Sequence, residues 1–205
     1  MKKAFSLIYK IILIGCALYG VSAQLGILTG NMNLHLLNYF TILSNLLIAV
    51  YFIIDVISLL CANKTFMPVM KYASMMAIIL TGVIAHFILG MSFSMSSTRG
   101  LSLLLCHYIV PIMSVLDYLI FDKKGTITPK DPMRFTYFPL AYFAYVMIAV
   151  HTGHSLGMNS AYPYPFMNLE ALGWPQFTIN IMGILACYLL LSYGLYRLDR
   201  LLKKH

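Results

Sequence analysis

The residues of this chain best suited to chemistry lie inside apolar sequence. The densest polar cluster is Asn38-Tyr39-Phe40-Thr41-Ile42-Leu43-Ser44-Asn45. Asn38, Thr41 and Asn45 follow an i, i+3, i+7 spacing, which places them on one face of a helix and forms a short polar strip. A threonine hydroxyl becomes a nucleophile only beside a general base. Three histidines in apolar runs, His86, His107 and His151, are candidates for that base. Thr41 lies six residues beyond His35, and His107 six beyond Leu101. In two helices running the same way, both would sit about 9 Å below their starting points. A hydroxyl and an imidazole at matched depth suit acyl transfer, with Asn38, Ser44 and Asn45 as polar groups able to serve a developing oxyanion. Asp117 lies ten residues after His107. That is about 15 Å along a helix, too far to orient the imidazole directly. The competing reading makes the same Ser, Thr and Asn residues interhelical packing contacts.

The elements that must position these groups are membrane-spanning helices. Of 205 residues, 60 % are hydrophobic and 10 % charged, with a mean hydropathy of +0.82; soluble domains carry about 25 % charged residues. Six segments, near 4–24, 35–57, 69–91, 101–121, 136–152 and 175–196, approach the roughly 20 apolar residues that a spanning helix needs. The fifth is the shortest and contains Pro139. The expected architecture is all-α, one six-helix transmembrane bundle over 1–205.

Charge orients that bundle. The net charge is +8, yet 13 of the 14 basic residues fall at the N-terminus, after the second and fourth spans, or after the sixth; Arg99 is the exception. Cytoplasmic loops retain Lys and Arg, so both termini are expected in the cytoplasm. The basic excess reads as contact with anionic lipid headgroups rather than nucleic acid. Asp55 and Asp117, near the inner ends of their helices, are expected to pair with Lys64, Lys71, Lys123 or Lys124.

Cys16, Cys61, Cys106 and Cys187 show no metal-ligand or disulfide spacing. No metal or cofactor is expected. Leu13-Ile14-Gly15-Cys16 resembles a lipoprotein cleavage box, but apolar sequence continues beyond it, as in an uncleaved first helix. The stretch 152–175, with Tyr162-Pro163-Tyr164-Pro165-Phe166, Glu170 and Gly173-Trp174-Pro175, reads either as an ordered loop over the outer mouth or as an aromatic belt. Three further classes stand beside acyl transfer. They are haem binding through His86, His107 and His151, transport along the polar strip, and a non-catalytic scaffold or sensor.

Taken in order, the 38–45 cluster, His107-Tyr108-Ile109-Val110-Pro111 with Asp117, and Tyr162-Pro163-Tyr164-Pro165-Phe166 resemble bacterial relatives of the androgen-induced gene product family. That family includes the androgen-dependent TFPI-regulating protein. The resemblance covers nearly the whole chain. It implies a multipass hydrolase of fatty acid esters of hydroxy fatty acids, with an intramembrane threonine at Thr41 and histidine at His107. It further implies residence in a bacterial inner membrane.

Overall fold

The computed structural model describes residues 2–90 and 97–203. Among these the chain is helical, with no strand and with six helices long and apolar enough to cross a membrane. The architecture is therefore that of a multipass membrane protein. Ile8, Ile11, Ile12, Val50, Ile57, Ile112 and Ile120 are exposed. An aqueous surface would not tolerate so much contiguous apolar area, whereas lipid tails do.

The chain divides into two compact units, 1–123 and 124–205. The first holds four spans. α1 (Lys2–Gln24) packs against α2 (Phe40–Cys61), and α2 against α3 (Pro68–Val83), which continues as a π-helical turn, Ile84–Ile88. The fourth span is α4 (Thr98–Leu104), a second π-helical turn (Leu105–Ile109) and α5 (Val110–Phe121). It rests on both α1 and α3. The second unit holds α6 (Asp131–Phe135), α7 (Tyr137–His151) and α8 (Leu169–Leu201).

Several boundaries differ from those expected. The second span begins at Phe40, not near residue 35, because Leu34–Asn38 is a 3₁₀ turn capped by Asn33, whose side chain accepts from His35 N. Leu36 and Leu37 of that turn pack against Val21, Leu25, Ile42 and Cys106. Burying those side chains holds the chain in place before α2 starts. The fifth span is longer than expected, Asp131–His151. Pro139 lies in the first turn of α7, where its missing N–H has no intrahelical partner to lose. α8 begins at Leu169 and breaks at Gly173, whose φ of 68° suits glycine, so the expected start at Pro175 marks the kink. Met91, the end of the expected third span, lies outside the described residues.

The largest correction concerns Lys10. Counted with the headgroup anchors, it is instead 2 % exposed, and Lys71 is 1 % exposed. Lys10 shares its helix face with Leu13, Ala17 and Val21, all buried, at the spacing that defines one stripe. A lysine on an interior stripe must find a carboxylate there. Asp55 and Asp117 supply it, so their partners are Lys10 and Lys71 rather than Lys64, Lys123 or Lys124.

Within the second unit, Tyr188 donates to Phe135 O at 2.8 Å, and Asp199 accepts from Ile127 N at 2.9 Å. The stretch after α7 is ordered. Tyr164 and Phe166 stack with ring centroids 5.2 Å apart, and Leu156 N donates to Ala161 O.

Candidate active site

Thr41 and His107 meet inside the first unit. Thr41 Oγ1 lies 3.3 Å from His107 Nε2. His107 Nδ1 lies 2.9 Å from Leu103 O. A carbonyl only accepts, so Nδ1 carries the proton; in the neutral ring Nε2 is then bare, and Thr41 donates to it. That is the tautomer a general base needs, facing the hydroxyl it would deprotonate. A 3.3 Å contact is looser than an ideal O–H···N bond, as is common for catalytic pairs before substrate binds. His107 is 5 % exposed, while Thr41 is half-buried.

The group that orients His107 is thus the backbone carbonyl one turn earlier, which no sequence pattern announces. The π-helical turn Leu105–Ile109 contains His107. One extra residue in a turn rotates the downstream residues by about 100° around the axis. A regular α-helix through this region would present a different face to α2. Two glycines accommodate the wider turn. A Cβ on Gly20 would lie 2.6 Å from Cys106 Sγ, and one on Gly82 would lie 2.7 Å from His107 O. α1 and α3 therefore approach the turn at positions without side chains.

Thr41 stands in the first turn of α2, not two turns in, so the depth expected from a helix starting at residue 35 does not hold. α4 begins nine residues before His107, and the packed 3₁₀ turn occupies the place of the missing first turns of α2. This position has a chemical consequence. The positive end of the helix dipole favours an anion developing at or near the Thr41 hydroxyl.

The remaining strip residues are braces. Asn45 Nδ2 donates to Thr41 O at 2.8 Å and to Cys106 O at 3.2 Å, which commits both amide protons. Ser44 Oγ donates to Thr41 O and shares a 2.7 Å hydrogen bond with Thr81 Oγ1. These contacts fix the backbone of Thr41 rather than point donors towards its hydroxyl. Asn38 belongs to the 3₁₀ turn, off the α2 face it was expected to share. Asn45 bridges the carbonyl of Thr41 to the carbonyl preceding His107, so it sets the separation of the pair. Asn45→Leu keeps the branched shape and removes both bonds. With Thr41 and His107 acting as nucleophile and base, the variant should show a kcat lower by about 10- to 100-fold with little change in KM, since a 1 Å misplacement costs roughly that much. An unchanged kcat would strip Asn45 of this positioning role.

An apolar groove of about 340 Å³ runs from His107 along Ile79, Val83, Pro111 and Val115. It lies between α3 and the fourth span, with His107 among its lining residues, and is wide enough for an alkyl chain.

Within the first unit, His86 and Asp117 make their contacts elsewhere. His86, in the first π-helical turn, is exposed and pairs through Nδ1 with Tyr108 OH at 3.1 Å. His151 is exposed and ends α7 in the second unit. Among the described residues no group of three His, Cys, Asp or Glu could hold a metal ion. Asp117, fully buried, serves a different cluster. Lys10 Nζ lies 2.9 Å from both its oxygens and 3.2 Å from Asp55 Oδ2. Lys71 Nζ lies 2.5 Å from Asp117 Oδ2 and also pairs with Asp122 Oδ1. Phe52 lies beneath both ammonium groups, with ring-centroid distances of 4.9 and 5.7 Å. Compared with protein-family models, curated proteins and solved structures, the chain matches none.

Proposed function

We propose that this protein is an intramembrane lipid-ester hydrolase with Thr41 as nucleophile and His107 as general base. The observation that carries the reading is the 3.3 Å Thr41–His107 contact combined with the 2.9 Å Leu103 bond that sets the tautomer. Thr41 Oγ attacks the ester carbonyl while His107 Nε2 takes its proton, and the imidazolium then returns that proton to the departing alkoxide. The product is an acyl-threonine and a free alcohol. Water, deprotonated by the same imidazole, attacks the acyl carbon; the acid leaves and Thr41 regains its proton. The α2 dipole stabilises the oxyanion in both halves. The apolar groove holds an acyl chain so that the ester alone reaches polar surroundings. Fatty acid esters of hydroxy fatty acids fit this geometry, and the resemblance to the androgen-induced gene product family points to the same substrates. The discriminating experiment is labelling with a fluorophosphonate and mapping of the adduct. Modification at Thr41 supports the reading, and its absence with an otherwise reactive lipid ester removes it.

The orientation follows from charge. Both termini and the 122–134 loop face the cytoplasm, in a bacterial inner membrane whose anionic headgroups meet the basic residues. Single cysteines at Asn31 and Ser160, in a background lacking the native four, should react with an impermeant maleimide added to intact cells. One at Thr128 should stay unmodified. The inverse labelling pattern would place the dyad in the inner half of the membrane.

A further inference from the structure

The apolar groove beside His107 has a direction. α3 and the fourth span run antiparallel: Tyr72 packs on Tyr118 with ring centroids 5.6 Å apart at one end of their seam, and Gly82 lies against His107 O nearer the other. The groove follows that seam from Phe87, Val83 and His107 to Ile79, Val115 and Leu116. His107 and Leu116 are nine residues apart, about 13 Å along the helix.

The lining decides what such a groove can take. Among the described residues no charged side chain lines it, and its polar side chains, His107 and Tyr108, are neighbours at one end. That pattern is complementary to an amphiphile, with a neutral chain along the groove and a polar group at the His107 end. A charged headgroup would find no partner among the other lining residues. Phe87, Ile112 and Leu116 are exposed, so the flank of the groove is the kind of surface that lipid tails cover. A seam between two helices packed about 8–10 Å apart is one alkyl chain wide. An extended chain advances about 1.2 Å per bond, so roughly ten carbons lie along it.

We infer that the groove selects the acyl half of the ester, taking an unbranched, saturated chain over roughly its first ten carbons, with the carbonyl at His107 and the tail toward Leu116. The inference rests on the hydrolase reading, because the dyad decides which end holds the carbonyl: Thr41 Oγ1 lies 3.3 Å from the imidazole. The acyl half stays on Thr41 until water arrives, so it is the half that a groove can hold in place through both steps. The alcohol leaves after the first. Selection is steric rather than hydrophobic. A chain drawn from the bilayer is already out of water and gains no transfer energy on entering the groove. What it gains is close contact, which a methyl branch or a cis double bond within the contacted stretch forfeits. Past that stretch the chain is back among lipid tails, where the same branch costs nothing.

The test uses the full chain in phosphatidylcholine nanodiscs. Hexadecanoic acid with a diazirine at its tenth carbon should crosslink on irradiation to Ile79, Val115 or Leu116. The same acid with the diazirine beside the carboxyl should crosslink to Val83 or Tyr108. Ile8 and Ile57, exposed on α1 and α2, report random contact with lipid. Among 4-nitrophenyl hexadecanoates, a methyl branch at the sixth carbon should give a kcat/KM about tenfold below that for a branch at the fourteenth. Val115→Ala removes two methyl groups from the groove wall and should narrow that gap. Adducts no more frequent in the groove than at Ile8 and Ile57, or in the reverse order, overturn the inference. So do equal kcat/KM values for the two branched esters, or a gap that Val115→Ala leaves unchanged. Each of those failures leaves the hydrolase reading standing as long as esters are turned over. If no ester is turned over, the hydrolase reading falls and the photolabel alone decides the groove: adducts in the expected order keep the chain site, and any other pattern removes it.

Discussion

Thr41→Ala should abolish fluorophosphonate labelling and lower lipid-ester turnover by about three orders of magnitude or more, while leaving the melting temperature near wild type. The magnitude stems from removing a nucleophile that acts as a unit with its base. Stability should hold because Thr41 is half-buried, and Asn45 and Ser44 bind its carbonyl, which alanine retains. His107→Ala should fall to a similar rate, since a threonine hydroxyl without a base is a poor nucleophile at neutral pH. The double variant should be no worse than either single one, which separates a dyad from two independent contributions. Thr41→Ser keeps the hydroxyl and loses only a methyl, so it should retain part of the activity. A well-folded Thr41→Ala protein that turns over lipid esters at the wild-type rate would end the proposal. The polar strip would then be helix packing in a scaffold.

Lys71→Met should be the most damaging single change to stability. It leaves Lys10 beside Asp55 and Asp117 and takes the Lys71 ammonium away from Asp117 and Asp122. Removing one partner of a buried pair typically costs about 3–5 kcal/mol, because the orphaned carboxylate cannot recover its hydration. Lys71 also touches two carboxylates, so two groups lose a neighbouring cation at once. The variant should melt far below wild type or fail to accumulate in membranes. Combining Lys71→Met with Asp122→Leu removes the Lys71–Asp122 pair as a whole and should recover part of the loss. Non-additivity of that kind is the signature of two side chains in direct contact. If Lys71→Met melts like wild type, the cluster is hydrated and its charges are not interdependent.

Much of the architecture is legible in the sequence. The number of spanning helices follows from the length of each apolar run, since hydrocarbon leaves a backbone no choice but helix. Residue type and depth alone suggest pairing Thr41 with His107. That depth rests on α2 beginning at residue 35, and the 3₁₀ turn Leu34–Asn38 shows that it does not. Lys10 is a second instance. Its nearness to the N-terminus suggests a headgroup anchor, whereas its place on the Leu13, Ala17, Val21 stripe puts it inside. The stripe is visible in the sequence and is the better signal.

Membrane entry is encoded locally, because hydropathy is a sum over neighbouring residues and needs no partner. Azimuth is not. Whether His107 faces Thr41 depends on the π-helical turn at Leu105–Ile109, and that turn is permitted by Gly20 and Gly82 on two other helices. The same holds for Lys10, Asp55, Lys71, Asp117 and Asp122. Each charge is costly on its own helix, and only their convergence from four spans makes the set tolerable in the interior. Contacts between residues as far apart as Lys10 and Asp117 have no local signature, since they are set by how the helices rotate and pack.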